Sequence, residues 1–224
     1  MTQNIDKLPA RVPTSAERIT RLTRAVASVL FAMALGSGAS WAQTPAGTAS
    51  NNRGVLRKGA VEIGAIGGFT LPVSWLRAHS DRRITMASFD IGRVMTDEIG
   101  DAPLGGNFEF LLEITPFLVL EQPTHTFGLT VSPLHMRWNF ASTGRARAFA
   151  EASGGIIYTG QPVPVRTTTF NFIDQAGFGV RIADSARRAW LVGYRFQHIS
   201  NAGRVKPNPG ANFNLVYAGV TFLR

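Results

Sequence analysis

His198 and Ser200 stand two residues apart within Gly193–Val220, GYRFQHISNAGRVKPNPGANFNLVYAGV. On a strand, residues two apart point to the same face. A hydroxyl beside an imidazole is a nucleophile–base pair. The serine can attack an ester carbonyl while the histidine takes its proton and later returns it to the leaving alcohol. A lone His-x-Ser is usually an accident of strands and turns. Here the pair continues a stripe of Trp190, Val192, Tyr194 and Phe196. If that stripe faces lipid, the pair faces lipid too, where polar side chains are costly and tend to mark function.

The chain that must position this pair has 224 residues, 45% hydrophobic and 17% charged, with 23 glycines, 15 phenylalanines and no cysteine. A mean hydropathy of +0.05 fits neither a disordered chain nor a helical membrane bundle. The missing cysteine excludes disulfides, thiolate zinc sites and a cysteine nucleophile. The formal charge of +9 suggests an anionic partner without naming it.

The N-terminus has the pattern of an export signal. Lys7, Arg11, Arg18, Arg21 and Arg24 precede an apolar run from Ala25 to Gly36, and Ser40-Trp41-Ala42 offers a cleavage site before Gln43. The run is too short to span a bilayer, which takes about 20 residues. Taking residues 1–42 as a signal peptide removes five basic and two acidic residues and leaves 18 against 12, a net +6. Residues 43–58 are small and polar and are expected to be a flexible lead-in.

From residue 59 onward eight runs alternate with turn signals: 59–70, 83–97, 106–122, 125–141, 146–160, 170–184, 189–202 and 213–223. In the sixth run Phe170, Phe172, Ala176, Phe178, Val180 and Ile182 oppose Asn171, Gln175, Gly177, Gly179 and Arg181. In the last, Val216, Ala218, Val220 and Phe222 oppose Leu215, Tyr217, Gly219 and Thr221. Period two is the strand signature. Large apolar residues opposed to Gly, Gln and Arg suit a barrel with lipid outside and a polar lumen. The expected fold is all-β, an eight-stranded antiparallel up-and-down transmembrane β-barrel over 59–224 in a bacterial outer membrane. A soluble periplasmic lipid-binding barrel is the alternative. The final strand closes near Phe222 but continues into Leu223 and Arg224, a departure from the terminal aromatic common in such barrels.

An even strand number puts both termini at the periplasmic side, so strand seven ends near Ser200 at the outer surface. If the turn between strands six and seven centres on Ala186, Asp174 falls directly opposite His198. Cross-strand neighbours are about 5 Å apart. By the same parity Asn212 and Asn214 of strand eight share the His198 face. Asp174 or Asn212 is therefore expected to orient His198, and a one-residue register slip would remove Asp174 from the site.

His198-x-Ser200-Asn201-Ala202, followed by Pro207-Asn208-x-Gly210 and preceded by Gly193-Tyr194-Arg195-Phe196-Gln197, resembles the signature of the lipid A 3-O-deacylase (PagL-type) family. The close match covers about 30 residues, and the rest agrees in layout. The resemblance implies a hydrolase, an outer-membrane serine esterase that needs no cofactor and releases the 3-linked acyl chain of lipid A. It implies Ser200 as nucleophile and His198 as base, with Asn201 and Asn208 around the oxyanion hole. The family's third member is a Glu twelve residues after the serine, where this chain has Asn212. An Asn can orient an imidazole but cannot stabilise the imidazolium by charge. A non-catalytic structural or lipid-binding barrel therefore stays open as the other class of function.

The partners so implied are lipid A, lipopolysaccharide and outer-membrane lipids, with a homodimer left open. Arg204 and Lys206, in the loop after Ser200, are expected to pair with lipid A phosphates. Arg145, Arg147, Arg187 and Arg188 suit interfacial anchoring. No nucleic-acid partner is expected, because the positive charge is scattered along an exported chain. No metal site is expected either, since His79, His125 and His135 lack partners at ligand spacing along the chain.

Overall fold

Alternating sequence becomes a closed barrel. A computed structural model describes residues 56–77, 81–101, 103–122 and 125–224. The expected signal peptide, His79 and all but the end of the 43–58 lead-in lie outside those residues. Eight strands follow in chain order: β1 Val61–Thr70, β2 Arg83–Val94, β3 Gly106–Glu121, β4 His125–Phe140, β5 Ala146–Thr159, β6 Phe170–Ala183, β7 Arg188–Ser200 and β8 Ala211–Leu223. Each pairs antiparallel with the next, and β8 closes on β1. Among the described residues no helix is long and apolar enough to cross a membrane.

The strand faces separate as the alternation predicts. Phe178, Val180 and Ile182 of β6 and Val192 of β7 are exposed on the outer wall, while Asn171, Gln175, Arg181, Arg195 and Gln197 are buried inside. Exposed Phe89, Phe117 and Phe127 continue the apolar wall onto β2, β3 and β4. A surface of that kind around a polar, buried interior is the membrane-crossing form of a barrel.

The lumen is filled, as eight strands require. It has two layers. Towards the end bearing the β5–β6 and β7–β8 loops, Ile84, Leu120, Ile157, Ile199 and Phe213 form an apolar plug. Below it lies a charged layer. Arg195 donates to Glu113 and Glu151 at 2.6 Å each, Arg137 donates to Glu62 at 2.9 Å, and Arg181 donates to the same Glu62. Tyr217 donates to Glu151 at 2.6 Å, and its ring lies under the Arg195 guanidinium, 4.6 Å from centroid to Cζ. Gly193 makes room for that ring, since a Cβ there would meet it at 2.4 Å.

Removing one partner from a buried ion network leaves the others uncompensated. Arg195→Ala is expected to lower stability by about 3–5 kcal/mol in urea unfolding of the folded barrel in lipid vesicles. A loss below about 1 kcal/mol would mean the lumen pairs act as solvated ones do.

The ladders that position the site are regular. Irregularities fall in β2–β3, β3–β4 and β4–β5, while β6–β7 and β7–β8 run without a shift. Asp174 pairs with His198, as a turn centred on Ala186 requires, and His198 pairs with Asn212. β8 begins at Ala211, two residues before the expected start, so Asn212 is a strand residue with a fixed direction.

Candidate functional site

The unbroken ladders put Asp174, His198 and Asn212 in one row across β6, β7 and β8, on the outer wall. Phe172 and Ser200 form the next row toward the loops. His198 and Ser200 are half-buried, and Asp174 is exposed.

Among the described residues the imidazole has one side-chain hydrogen-bond partner. His198 Nδ1 and Asn212 Oδ1 are 2.6 Å apart. The other end of that amide decides the proton's place. Asn212 Nδ2 donates to the carbonyl of Leu76 at 3.2 Å, so Oδ1 is the end facing the ring. An amide oxygen only accepts, so Nδ1 must carry the hydrogen and Nε2 keeps its lone pair. This is the tautomer a general base needs.

Leu76 belongs to a short 3-10 turn, Trp75–Arg77, in the β1–β2 connection. That connection folds back over the outer wall of β8. Asn214 Nδ2 donates to the carbonyls of Val73 at 3.2 Å and Trp75 at 2.9 Å, and Tyr194 donates to Asn214 Oδ1 at 2.5 Å. The Trp75 and Tyr194 rings lie 5.6 Å apart. Sequence reasoning did not include this connection. Its signal was faint: Val73, Trp75 and Leu76 are apolar residues in a loop, and such residues call for a wall to lie on.

Asp174 takes the register position expected of it but does not bond to His198. Its Oδ1 leans toward β5 instead, 3.7 Å from where a Cβ on Gly154 would stand. Of the two residues expected to orient the ring, Asn212 makes the contact.

The β7–β8 loop is held by its asparagines. Asn201 is buried, 2% exposed. Its Nδ2 donates to Val205 O at 2.9 Å, its Oδ1 accepts from Gly203 N at 2.9 Å, and its own N–H donates to Asn208 Oδ1 at 3.1 Å. The Asn201 amide is thus engaged within the loop, while its neighbour Ala202 N–H lies 3.5 Å from Ser200 Oγ. Gly210 ends the loop at φ +64, and a Cβ there would come within 2.8 Å of His198 Cε1. Glycine is required for both reasons, and its backbone forms one wall against the imidazole.

Arg204 and Lys206 are exposed in this loop. The Arg204 guanidinium stacks over Phe170 at 5.5 Å. Beside Ser200 an open cleft of about 560 Å³ is lined by Thr168, Phe170, Asn201, Arg204 and Val205. No hydrogen bond joins Ser200 to His198 among the described residues. In ligand-free sites such bonds are often long and tighten only around substrate.

These features define a membrane-crossing eight-stranded barrel with a histidine, a serine and an amide grouped on its lipid-facing wall. The chain resembles the lipid A 3-O-deacylase (PagL) family: residues 118–221 match the model of that family, a span that includes His198, Ser200, Asn201, Arg204, Lys206, Asn208 and Asn212. None of the curated proteins matches the chain. Among solved structures it is similar to the outer membrane enzyme PagL, at 18% identity and a TM-score of 0.49 over 70% of this chain and 97% of that one. It is also similar to the N-terminal β-barrel domain of Pseudomonas aeruginosa OprF, at 15% identity and 0.46 over 75% and 98%. A third is Neisserial surface protein A, at 13% identity and 0.41 over 73% and 95%.

Proposed function

We propose that this chain is an outer-membrane lipid A deacylase that hydrolyses the 3-linked acyl ester with Ser200 as nucleophile and His198 as base. The observation that carries the reading is the Asn212–His198 contact, which leaves Nε2 free to accept a proton on the face that Ser200 shares. Ser200 Oγ attacks the ester carbonyl and its proton passes to Nε2. The tetrahedral intermediate collapses, the bond between the acyl carbon and the sugar oxygen breaks, and the imidazolium protonates the departing alkoxide to the free sugar hydroxyl. Water, deprotonated by the same nitrogen, then releases the fatty acid and restores the serine.

The oxyanion is stabilised by Ala202 N–H and by the Asn208 amide, while Asn201 holds the loop in shape. Arg204 and Lys206 meet the lipid A phosphates, in keeping with the net charge beyond residue 42. The acyl chain lies along the aromatic wall at Phe170 and Phe172, whose rings meet edge-on at 5.8 Å. Residues 1–42 act as the export signal that delivers the barrel.

A non-catalytic barrel is the second reading. It draws on the Asn212 in place of a carboxylate and on the absence of a Ser200–His198 hydrogen bond among the described residues. The two separate on purified protein. The deacylase reading expects refolded barrel in detergent to shorten lipid A by one 3-linked acyl chain, seen by mass spectrometry, and unchanged lipid A would favour the second. Because the Asp174 carboxylate does not bond to the ring, Asp174→Asn is expected to keep the deacylation rate within about twofold of wild type. A large loss would give the orienting role back to Asp174.

A further inference from the structure

The lumen has more carboxylates than it has guanidinium groups to meet them. Glu62, Asp90, Glu109, Glu113 and Glu151 are buried inside with Arg137, Arg181 and Arg195, while a fourth buried arginine, Arg147, is taken up toward the β4–β5 turn by Asn107, the Phe140 carbonyl and Glu98. Arg137 pairs with Glu62, Glu109 and Glu151, Arg181 with Glu62 and Glu109, and Arg195 with Glu113 and Glu151. Asp90 has none of them. It is 2% exposed, and neither of its carboxylate oxygens meets a hydrogen-bond donor among the described residues. An ionised carboxylate in such a place is costly without a counter-charge.

Asp90 points at two other ligand-type groups. One donor atom each from Asp90, Glu113 and His135 lies within 4.8 Å of the others. The barrel brings them together from three strands. Asp90 pairs with Glu113 across β2–β3, and His135 pairs with Leu111 across β3–β4. The histidine is already oriented: its Nε2 faces Glu151 Oε2 at 3.2 Å. Its Nδ1, 3.8 Å from Glu113 Oε2, has no hydrogen-bond partner. A carboxylate on one ring nitrogen with the other nitrogen bare is the arrangement that supports metal-binding histidines.

We propose that Asp90, Glu113 and His135 form a binding site for a divalent transition-metal cation inside the barrel, with His135 Nδ1 and one oxygen from each carboxylate as ligands. Two carboxylates and an imidazole suit zinc-type and manganese-type ions. Ligand atoms on one zinc ion stand roughly 3.5 Å apart, so small side-chain rotations close the trio around it. The cation gives Asp90 its counter-charge and ties β2, β3 and β4 together from within. The site is separate from His198 and Ser200, on the opposite face of the barrel wall, and does not depend on the deacylase reading.

The spacing of His135 along the chain gave no reason to expect such a site. Its partners lie 45 and 22 positions away and meet it only through the barrel's register.

The test is to refold the barrel with and without Zn²⁺, pass it through a desalting column, and measure zinc per chain and the thermal midpoint. Wild type is expected to retain about one zinc per chain and to unfold at a higher temperature with it. Asp90→Asn and His135→Gln are each expected to retain about a tenth of that or less. Wild type retaining no more zinc than these variants would overturn the proposal. So would an Asp90→Asn barrel no more stable than zinc-free wild type while wild type binds no zinc, because a neutral acid and a neutral amide of the same shape cost about the same to bury. Should neither variant fold, the wild-type stoichiometry decides alone, and no retained zinc counts against the site.

Discussion

Ser200→Ala is expected to lower the rate of lipid A deacylation on the order of 10⁴-fold or more, with the barrel still folded. In the proposed mechanism this hydroxyl forms the acyl-enzyme, so its loss removes the covalent route. The substitution removes one oxygen from a half-buried position at the end of β7, where the backbone ladder with β6 persists. Folding is checked by the heat-modifiable gel mobility of the barrel, and rate by the appearance of free fatty acid. A Ser200→Ala barrel within about tenfold of wild type would contradict a serine nucleophile.

Asn212→Ala is expected to reduce kcat by about 10² to 10⁴ with little change in KM. Two contacts go at once. His198 Nδ1 loses the acceptor that fixes its tautomer, and the Leu76 carbonyl loses the donor that holds the β1–β2 connection against β8. The ring is then free to turn or to carry its hydrogen on the wrong nitrogen. Neither change touches Arg204 or Lys206, the groups proposed to meet the lipid A phosphates, so the loss is expected to fall on kcat. Initial rates against lipid A concentration separate the two constants. An unchanged kcat would remove Asn212 from the mechanism.

The identity of that residue also sets a ceiling. An amide orients the imidazole but adds no charge to offset the imidazolium. The Leu76 carbonyl explains why an amide suits the place, since a carboxylate there would turn a second acceptor toward a backbone oxygen.

Most of the barrel was legible in the sequence because the side-chain period of a strand is two and each strand has one buried face. That pattern located all eight strands; parity with a turn centred on Ala186 placed Asp174 opposite His198, and parity put Asn212 and Asn214 on the same face. The start of β8 was read two residues late because Ala211 and Asn212 follow a glycine and carry no strand signal of their own. The Leu76 contact was not legible, because a backbone carbonyl has no residue type to betray it. The engagement of the Asn201 amide within its own loop was hidden for the same reason, as two of its partners are the Gly203 N–H and the Val205 carbonyl. Alternation separated inside from outside but could not divide the lumen into an apolar plug and a charged layer. That division depends on how far along each tilted strand a residue sits. The meeting of Asp90, Glu113 and His135 needs the same knowledge of register.

The central claim is that a serine on the outer wall cleaves an acyl ester of lipid A. It is tested most directly by mass spectrometry of lipid A from cells expressing the wild-type chain or Ser200→Ala. The account predicts lipid A shortened by one 3-linked acyl chain with wild type and full-length lipid A with Ser200→Ala. Identical acyl patterns from the two, with both barrels folded in the outer membrane, would contradict it.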